Sequence, residues 1–276
     1  MKFISFASSS KGNCALISYK NTNILVDCGI SKKRIVENLN KYNLTLNDIN
    51  CIFITHSHTD HILGLQGILK DNDIKIVSQR ETLMEIAKFL ENKGIKVNYD
   101  NFKIINPINI LNDSSFIRVG DIKVFPLKGC HDVPCLYYKF SLGDVNLAIL
   151  TDMGKYNDYN LMTLSDINYL MLECNYDTEM LMNNSYPLKL KDRIIGDGGH
   201  LSNINCSEII MKIANESLKE VYLSHISEDS NSEEYAYEFV TKYIENNFRN
   251  DNNVNLPTIK VAKRLEATEI INSIDG

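Results

Sequence analysis

The hydrophobic positions of this chain fall into short runs separated by Ser, Asn, Asp and Gly, the pattern of strands and helices joined by tight turns. Residues 2–7, 15–19 and 24–27 read as strands, the first two flanking a polar turn at 8–13. Ser31 is placed to cap a helix running to about Lys41, and 45–47 starts another short turn. The β-branched run Ile52-Phe-Ile-Thr reads as a buried strand. Helical spacing follows at 61–70, then a strand at 74–78 and a helix at 81–93 closed by Gly94. Between 101 and 145, short β-segments separated by Asn, Asp, Gly and Pro suggest antiparallel hairpins. Strand and helix patterns then alternate to a strand at 258–262 and a short terminal helix, with an exposed asparagine-rich loop at 246–255. Strands enclosed by outer helices make an α/β fold, an αββα four-layer sandwich, the expected architecture.

Composition narrows the class. With 276 residues, 44% of them hydrophobic, the chain can bury a large core, and we expect one domain over 1–276. The apolar start Met1 to Ala7 is too short for a signal peptide, and no later run approaches the ~20 apolar residues of a membrane span. A soluble, cytoplasmic protein without membrane contact is therefore expected. Seven cysteines without a C-x-x-C pair fit reduced thiols rather than a disulfide framework. Cys130, beside His131, is the one possible neighbour of a site. The net charge of −6 argues against nonspecific coating of nucleic acid but leaves a nucleic-acid substrate open.

Chemistry is concentrated in Thr55-His56-Ser-His58-Thr-Asp60-His61. Three of the six histidines and a carboxylate stand on one turn between a strand and a helix start. Burying four such groups gives no packing benefit unless a divalent cation binds their lone pairs. A histidine-rich surface loop is the alternative. His131, His200 and His225 each lie where an apolar run meets a loop, and 147–150 leads into Asp152 in the same manner. Loops at successive strand ends can converge on one rim, so a single site could use all of them. Glu173 ends a second apolar run and needs a partner if buried. His200 precedes the amphipathic helix of Ile209, Ile210 and Ile213, where it could meet an anionic group. Glu173 as a turn cap and His200 as a structural hydrogen-bonder is the competing reading. Lys189, Lys191 and Arg193 form a basic stripe, either a guide for a phosphate backbone or a solvated face.

The series His56-x-His58-x-Asp60-His61, His131, Asp152, His225 resembles the metal-ligand order of the metallo-β-lactamase superfamily. That resemblance implies one metal on His56, His58 and His131, a second on Asp60, His61 and His225, and Asp152 between them. It also implies that Asp27 props the histidine turn from behind. The Glu173 and His200 pair is similar to the dyad of tRNase Z and related nucleases, in which the glutamate orients a histidine that protonates the departing oxygen. Ala7 to Cys14, Leu172 to Asn175, Tyr186 to Lys189, Arg193-Ile194, Gly199 to Asn203 and Leu223 to Ser227 together resemble the YycJ (WalJ) family. Ser9 and Ser230 depart from a glycine and an asparagine expected there. The interval between Asp152 and His225 is too short for a β-CASP domain.

The resemblance implies a dinuclear-metal phosphodiesterase, a DNA exonuclease, with zinc, manganese or iron as the pair of divalent metal ions. Asp60, Glu173 and His200 would be its catalytic groups, the last as general acid. Lys189, Lys191 and Arg193 would contact flanking phosphates, and Ser202 and Asn203 a terminal one. DNA is expected in preference to RNA. Two alternatives remain: a glyoxalase II-like thioesterase or lactonase, and a noncatalytic metal-binding regulator. Polarity, oligomeric state and pathway are not legible at this level.

Overall fold

In the computed structural model, residues 1–107, 116–156, 158–248 and 255–273 are described, and residues 249–254 of the expected asparagine-rich loop lie outside them. The first half of the chain forms β1 (Lys2–Ser9), β2 (Gly12–Tyr19), β3 (Thr22–Val26), α1 (Lys32–Lys41), β4 (Cys51–Phe53), α2 (Thr59–Ile62), α3 (Leu65–Asp71), β5 (Lys75–Ser78), α4 (Arg80–Glu91) and β6 (Phe102–Ile104). There follow β7 (Ile117–Val119), β8 (Ile122–Lys128), β9 (Leu136–Leu142), β10 (Val145–Leu150), α5 (Asp158–Met162) and β11 (Tyr169–Glu173). The rest comprises α6 (Thr178–Asn183), α7 (Leu188–Ile195), α8 (Asn203–Ile213), β12 (Glu220–Ser224), α9 (Glu233–Asn247), β13 (Thr258–Val261) and β14 (Thr268–Asn272).

Two seven-stranded sheets result, in the orders β14-β1-β2-β3-β4-β5-β6 and β13-β12-β11-β10-β9-β8-β7. Each pairs antiparallel hairpin strands with a parallel half, β3 to β6 in one and β10 to β13 in the other. Side chains of period two divide the apolar residues among three cores. Phe3, Ile17, Ile24 and Phe53 meet Tyr138, Phe140, Ile149 and Met171 between the sheets. Ile4, Leu16, Leu25 and Ile52 face outward onto Ile35, Leu39, Ile68 and Ile86 of the first sheet's helices. Leu170, Leu172, Val221 and Leu223 face Ile209, Ile213, Val240 and Ile244 of α8 and α9. These three layers of packing are the αββα sandwich expected from the sequence.

Local chemistry explains both the agreements and the departures. Ser31 caps α1, its hydroxyl accepting from Arg34 N–H, and Thr45 with Asp48 closes the short turn before β4. The helix expected at 61–70 is interrupted. Gly64 N–H donates to Cys28 O at 2.6 Å, and a Cβ there would lie 2.4 Å from Ile30 O, so the chain breaks into α2 and α3 to let the backbones touch. β6 is not a hairpin strand but adds in parallel to β5. The expected terminal helix is instead β14, which pairs antiparallel with β1 along the opposite edge of that sheet. Its unpaired N–H and C=O groups find a partner strand far away in sequence, which local spacing cannot reveal. Among the described residues, no helix is long and apolar enough to cross a membrane.

Candidate metal centre

All six histidines meet at one rim, outside the carboxyl ends of the parallel strands. Asp27 follows β3, His56 to His61 follow β4, Asp152 follows β10, Glu173 ends β11 and His225 follows β12. Three of these residues, Asp27, Asp152 and His225, have left-handed backbones with φ of +58°, +58° and +52°. For a non-glycine residue that conformation is uncommon, and it turns each side chain off the strand end toward a common point.

Ligand-capable atoms within 4.8 Å of one another form three overlapping groups: His56, His58, His131 and Asp152; Asp60, His61 and His225; and Asp152, Glu173, His200 and His225. The structure thus brings together the residues of both expected sets, and Asp152 stands in the first and third of these groups. His58 Nδ1 lies 3.0 Å from His56 Nε2 and 3.2 Å from His131 Nε2, so these nitrogens face a shared centre. Their opposite nitrogens are held from behind. His56 Nδ1 meets Thr55 Oγ1 at 3.0 Å, His131 Nδ1 donates to Gly199 O at 3.1 Å, and His58 Nε2 lies 3.3 Å from Asp132 Oδ1. Fixing the outer nitrogen sets the tautomer and aims the inner lone pair, which is what a metal ligand needs.

Asp27 carries out the propping role expected of it. Oδ1 accepts from Thr55 N–H at 2.8 Å, and Oδ2 accepts from Thr55 Oγ1 at 2.9 Å and from His61 Nδ1 at 2.7 Å. Gly29 adds to the grip: a Cβ there would fall 1.5 Å from Asp60 O, so only glycine lets this segment support the histidine turn.

Electrostatics favour a cation. Burial pushes the imidazoles of His56, His58 and His131 below their usual range, leaving neutral rings with free lone pairs. Burial alone would raise the Asp152 carboxyl, yet His225, His61 and His56 hold it well below its normal value. His61 behaves oppositely, since Asp27, Asp152 and Asp60 outweigh its burial and raise it well above the usual range. Oδ2 of Asp152 is buried 3.0 Å from His61 Nε2 but accepts no hydrogen bond of proper geometry. An orphaned buried carboxylate oxygen amid converging nitrogens suits divalent cations, and a donor set of imidazoles and carboxylates without thiolate suits zinc, manganese or iron.

Beside this centre, His200 Nδ1 pairs with Glu173 Oε1 at 2.7 Å. Glu173 is fully buried, and its other oxygen accepts from Met153 N–H at 2.7 Å and Leu201 N–H at 3.1 Å. Burial works against the imidazolium, but the Glu173 charge and hydrogen bond raise His200 to about 9. His200 Nδ1 also lies 3.8 Å from Asp152 Oδ1, which places the pair against the other histidines.

Other expected contacts are placed differently. Lys191 is buried, its ammonium donating to Met182 O at 2.7 Å and Asn184 O at 2.8 Å, so it braces the C-terminal end of α6 rather than facing a phosphate. Arg193 is tied to Asp132, and Lys189 is exposed on α7. Ser202 caps α8 and Asn203 is bonded inside the fold to Asn231, so neither is open to a terminal phosphate. Cys130 Sγ donates to Asp197 O and is in none of the three groups. At the two departures from the YycJ (WalJ) pattern, Ser9 Oγ accepts from Lys11 N–H and Ser230 Oγ from Asn184. Both shape loops.

Two residues at the centre escaped sequence reasoning. Asn13 Nδ2 lies 3.0 Å from His61 Nε2, and its Oδ1 lies 3.3 Å from His225 Nδ1. Asp132 supports His58 as described. A lone Asn or Asp has no spacing signal, although Asn13 sits in the 7–14 segment and Asp132 adjoins His131.

Comparison with known proteins agrees with this geometry. The family model described as the metallo-beta-lactamase superfamily matches residues 10–164. Exodeoxyribonuclease WalJ of Streptococcus pneumoniae serotype 2 is 31% identical over 239 residues, covering 86% of this chain and 85% of the relative. Exodeoxyribonuclease YycJ of Bacillus anthracis is 29% identical over 253 residues, with 89% of each covered. Among solved structures, the metallo-beta-lactamase fold protein YhfI from Bacillus subtilis superposes with a TM-score of 0.65 at 15% identity, over 98% of this chain and 100% of that one. Matched over more than half its length by the family model and over most of it by these relatives, the chain belongs to the metallo-beta-lactamase superfamily, within the group of the WalJ and YycJ proteins.

Proposed function

We propose that this protein is a dinuclear-metal phosphodiesterase of the cytoplasm that degrades nucleic acid from an end, with DNA as its substrate, through a single domain over 1–276 without a β-CASP insertion. In this reading His56, His58 and His131 hold one cation, Asp60, His61 and His225 the other, and Asp152 lies between them. Zinc and manganese fit the donors best, with iron also compatible. When bound, the two cations supply an acidified water and charge stabilisation for a phosphoryl group.

The protein's own residues supply the rest. Asp60, partly exposed at the mouth, accepts the proton of the attacking water. Asn13 Nδ2 approaches its carboxylate at 3.4 Å and steadies it there. His200, with Nδ1 engaged by Glu173, keeps Nε2 available to protonate the departing oxygen.

The Glu173 and His200 pair is the observation that carries this reading. A thiolate leaves readily without a proton, whereas an alkoxide does not, so a buried carboxylate holding an imidazolium beside the cluster serves phosphate-ester cleavage rather than thioester hydrolysis. The choice of DNA over RNA rests on the names of the relatives.

Metal analysis of the purified protein, joined to assays on 5′- and 3′-labelled single- and double-stranded DNA and RNA, tests the proposal. A His58→Ala control excludes contaminating nuclease. We expect two metal equivalents and stepwise release from DNA ends, with His200→Ala losing phosphodiester cleavage selectively. Absence of metal, or thioester turnover without nucleic-acid cleavage, would refute it.

A further inference from the structure

A cavity of about 150 Å³ opens beside the metal-ligand cluster, sharing His131 and His200 as walls. Its far side is Tyr186, Leu190, Ile194 and Arg193, from α7 and the turn before it. None of these is used by the chemistry above. The Tyr186 ring is held at its tip, its hydroxyl donating to Asp229 Oδ2 at 2.7 Å, and the residue's backbone N–H donates to Asn184 Oδ1 at 3.0 Å. Arg193 is likewise fixed, its Nε donating to Asp132 Oδ2 at 2.7 Å.

A rigid aromatic ring, two aliphatic side chains and a guanidinium form a lining suited to a flat, weakly polar ring. A cavity near this volume accommodates one small aromatic ring, and a base pair is far too large for it. Its shared wall with His200 sets the side of the scissile bond, because that histidine serves the departing oxygen. We propose that the cavity receives one unpaired base, that of the nucleotide on the leaving side of the scissile phosphate, with Tyr186 as its stacking surface. The inference rests on the phosphodiesterase reading and deepens it: the substrate presents a single-stranded or frayed end. Stacking on an aromatic side chain tolerates any sequence, since every base has a π-face.

The test is equilibrium binding of a single-stranded oligodeoxynucleotide carrying 2-aminopurine at its end, read by the change in its fluorescence, beside KM and kcat for cleavage. Tyr186→Phe keeps the ring and should keep the fluorescence change. Tyr186→Leu should abolish it and raise KM about ten- to hundred-fold, with a smaller effect on kcat. Leu190→Glu, which narrows the cavity without touching the bond to Asp229, should act likewise if Tyr186→Leu fails to fold. Undiminished fluorescence change in the Leu variant, or binding of a G·C-clamped blunt duplex as tight as that of single strand, would overturn the subsite. A wild-type protein that stacks the probe yet cleaves nothing would support the subsite while refuting the hydrolytic reading.

Discussion

Replacing Asp27 tests the support of the histidine turn more sharply than replacing a ligand, because Asp27 lies outside the cluster and acts on it only through Thr55 and His61. In Asp27→Ala, the Thr55 N–H and the His61 Nδ1–H lose their acceptor inside a site where Thr55 and His61 are fully buried. A buried donor left unpaired costs about 1–3 kcal/mol, and a charged one more, so the variant should lose roughly 3–5 kcal/mol. That is about a fifth or more of the stability of an ordinary domain. Asp27→Asn keeps an acceptor oxygen and a residue type tolerant of positive φ, so it should lose only about 1–2 kcal/mol. Urea denaturation of chelator-treated protein reads this directly, with an expected fall in midpoint of about 1 M for Ala at an unchanged slope. Metal titration of the same variants should show affinity lowered about 10- to 100-fold in both, since even Asn cannot hold the His61 ring as a carboxylate does. An Ala variant that melts with the wild type, or an Asn variant with undiminished metal affinity, would refute the claim that Asp27 organises the site.

Three further outcomes follow from the same geometry. In Glu173→Gln the charge that stabilises the His200 imidazolium is gone, so its pKa falls from about 9 and the general acid loses its proton at lower pH. The alkaline limb of the pH–rate profile should move to lower pH by about one unit or more, and a limb that stays in place would show that His200 is not the acid. Phe53 packs edge-on against Tyr138 and Phe140 between the sheets, with centroids 5.2 and 6.3 Å away. Phe53→Ala should cost about 3–5 kcal/mol and lower the calorimetric Tm by roughly 8–15 °C, and a drop of a degree or two would mean that the inter-sheet core collapses onto the gap. Lys191→Met should reduce stability by about 1–3 kcal/mol while leaving the salt dependence of DNA binding as it is, because its ammonium is spent on two backbone carbonyls. A salt slope reduced by about one would place Lys191 on a phosphate after all.

What could be read from the sequence divides along the range of the interactions involved. The histidine turn was legible because four donors in six residues are a local signal, and the three single histidines and Asp152 because each lies where an apolar run meets a loop. The Ser31 cap was visible for the same reason. Long-range pairing was not: the strand at 268–272 and the parallel attachment of β6 depend on partners that spacing does not specify. Nor does charge in the sequence tell where an ammonium points, so Lys191 reads as surface until the carbonyls at the end of α6 are seen around it. Asn13 and Asp132 matter because the fold carries them to histidines, and their places in the 7–14 segment and beside His131 do not by themselves say which ring each one meets.

The left-handed backbones of Asp27, Asp152 and His225 bear on how this protein can change. Glycine would relax the backbone at each of these three places, yet it would remove a side chain around which the site is built. At 152 and 225, selection for thermal robustness and selection for turnover therefore pull in opposite directions, whereas at 27 the acceptor lost by Thr55 and His61 outweighs the relief. A screen that rewards stability alone should drift toward glycine or asparagine at 152 and 225 but keep the aspartate at 27, yielding hardier but inert proteins.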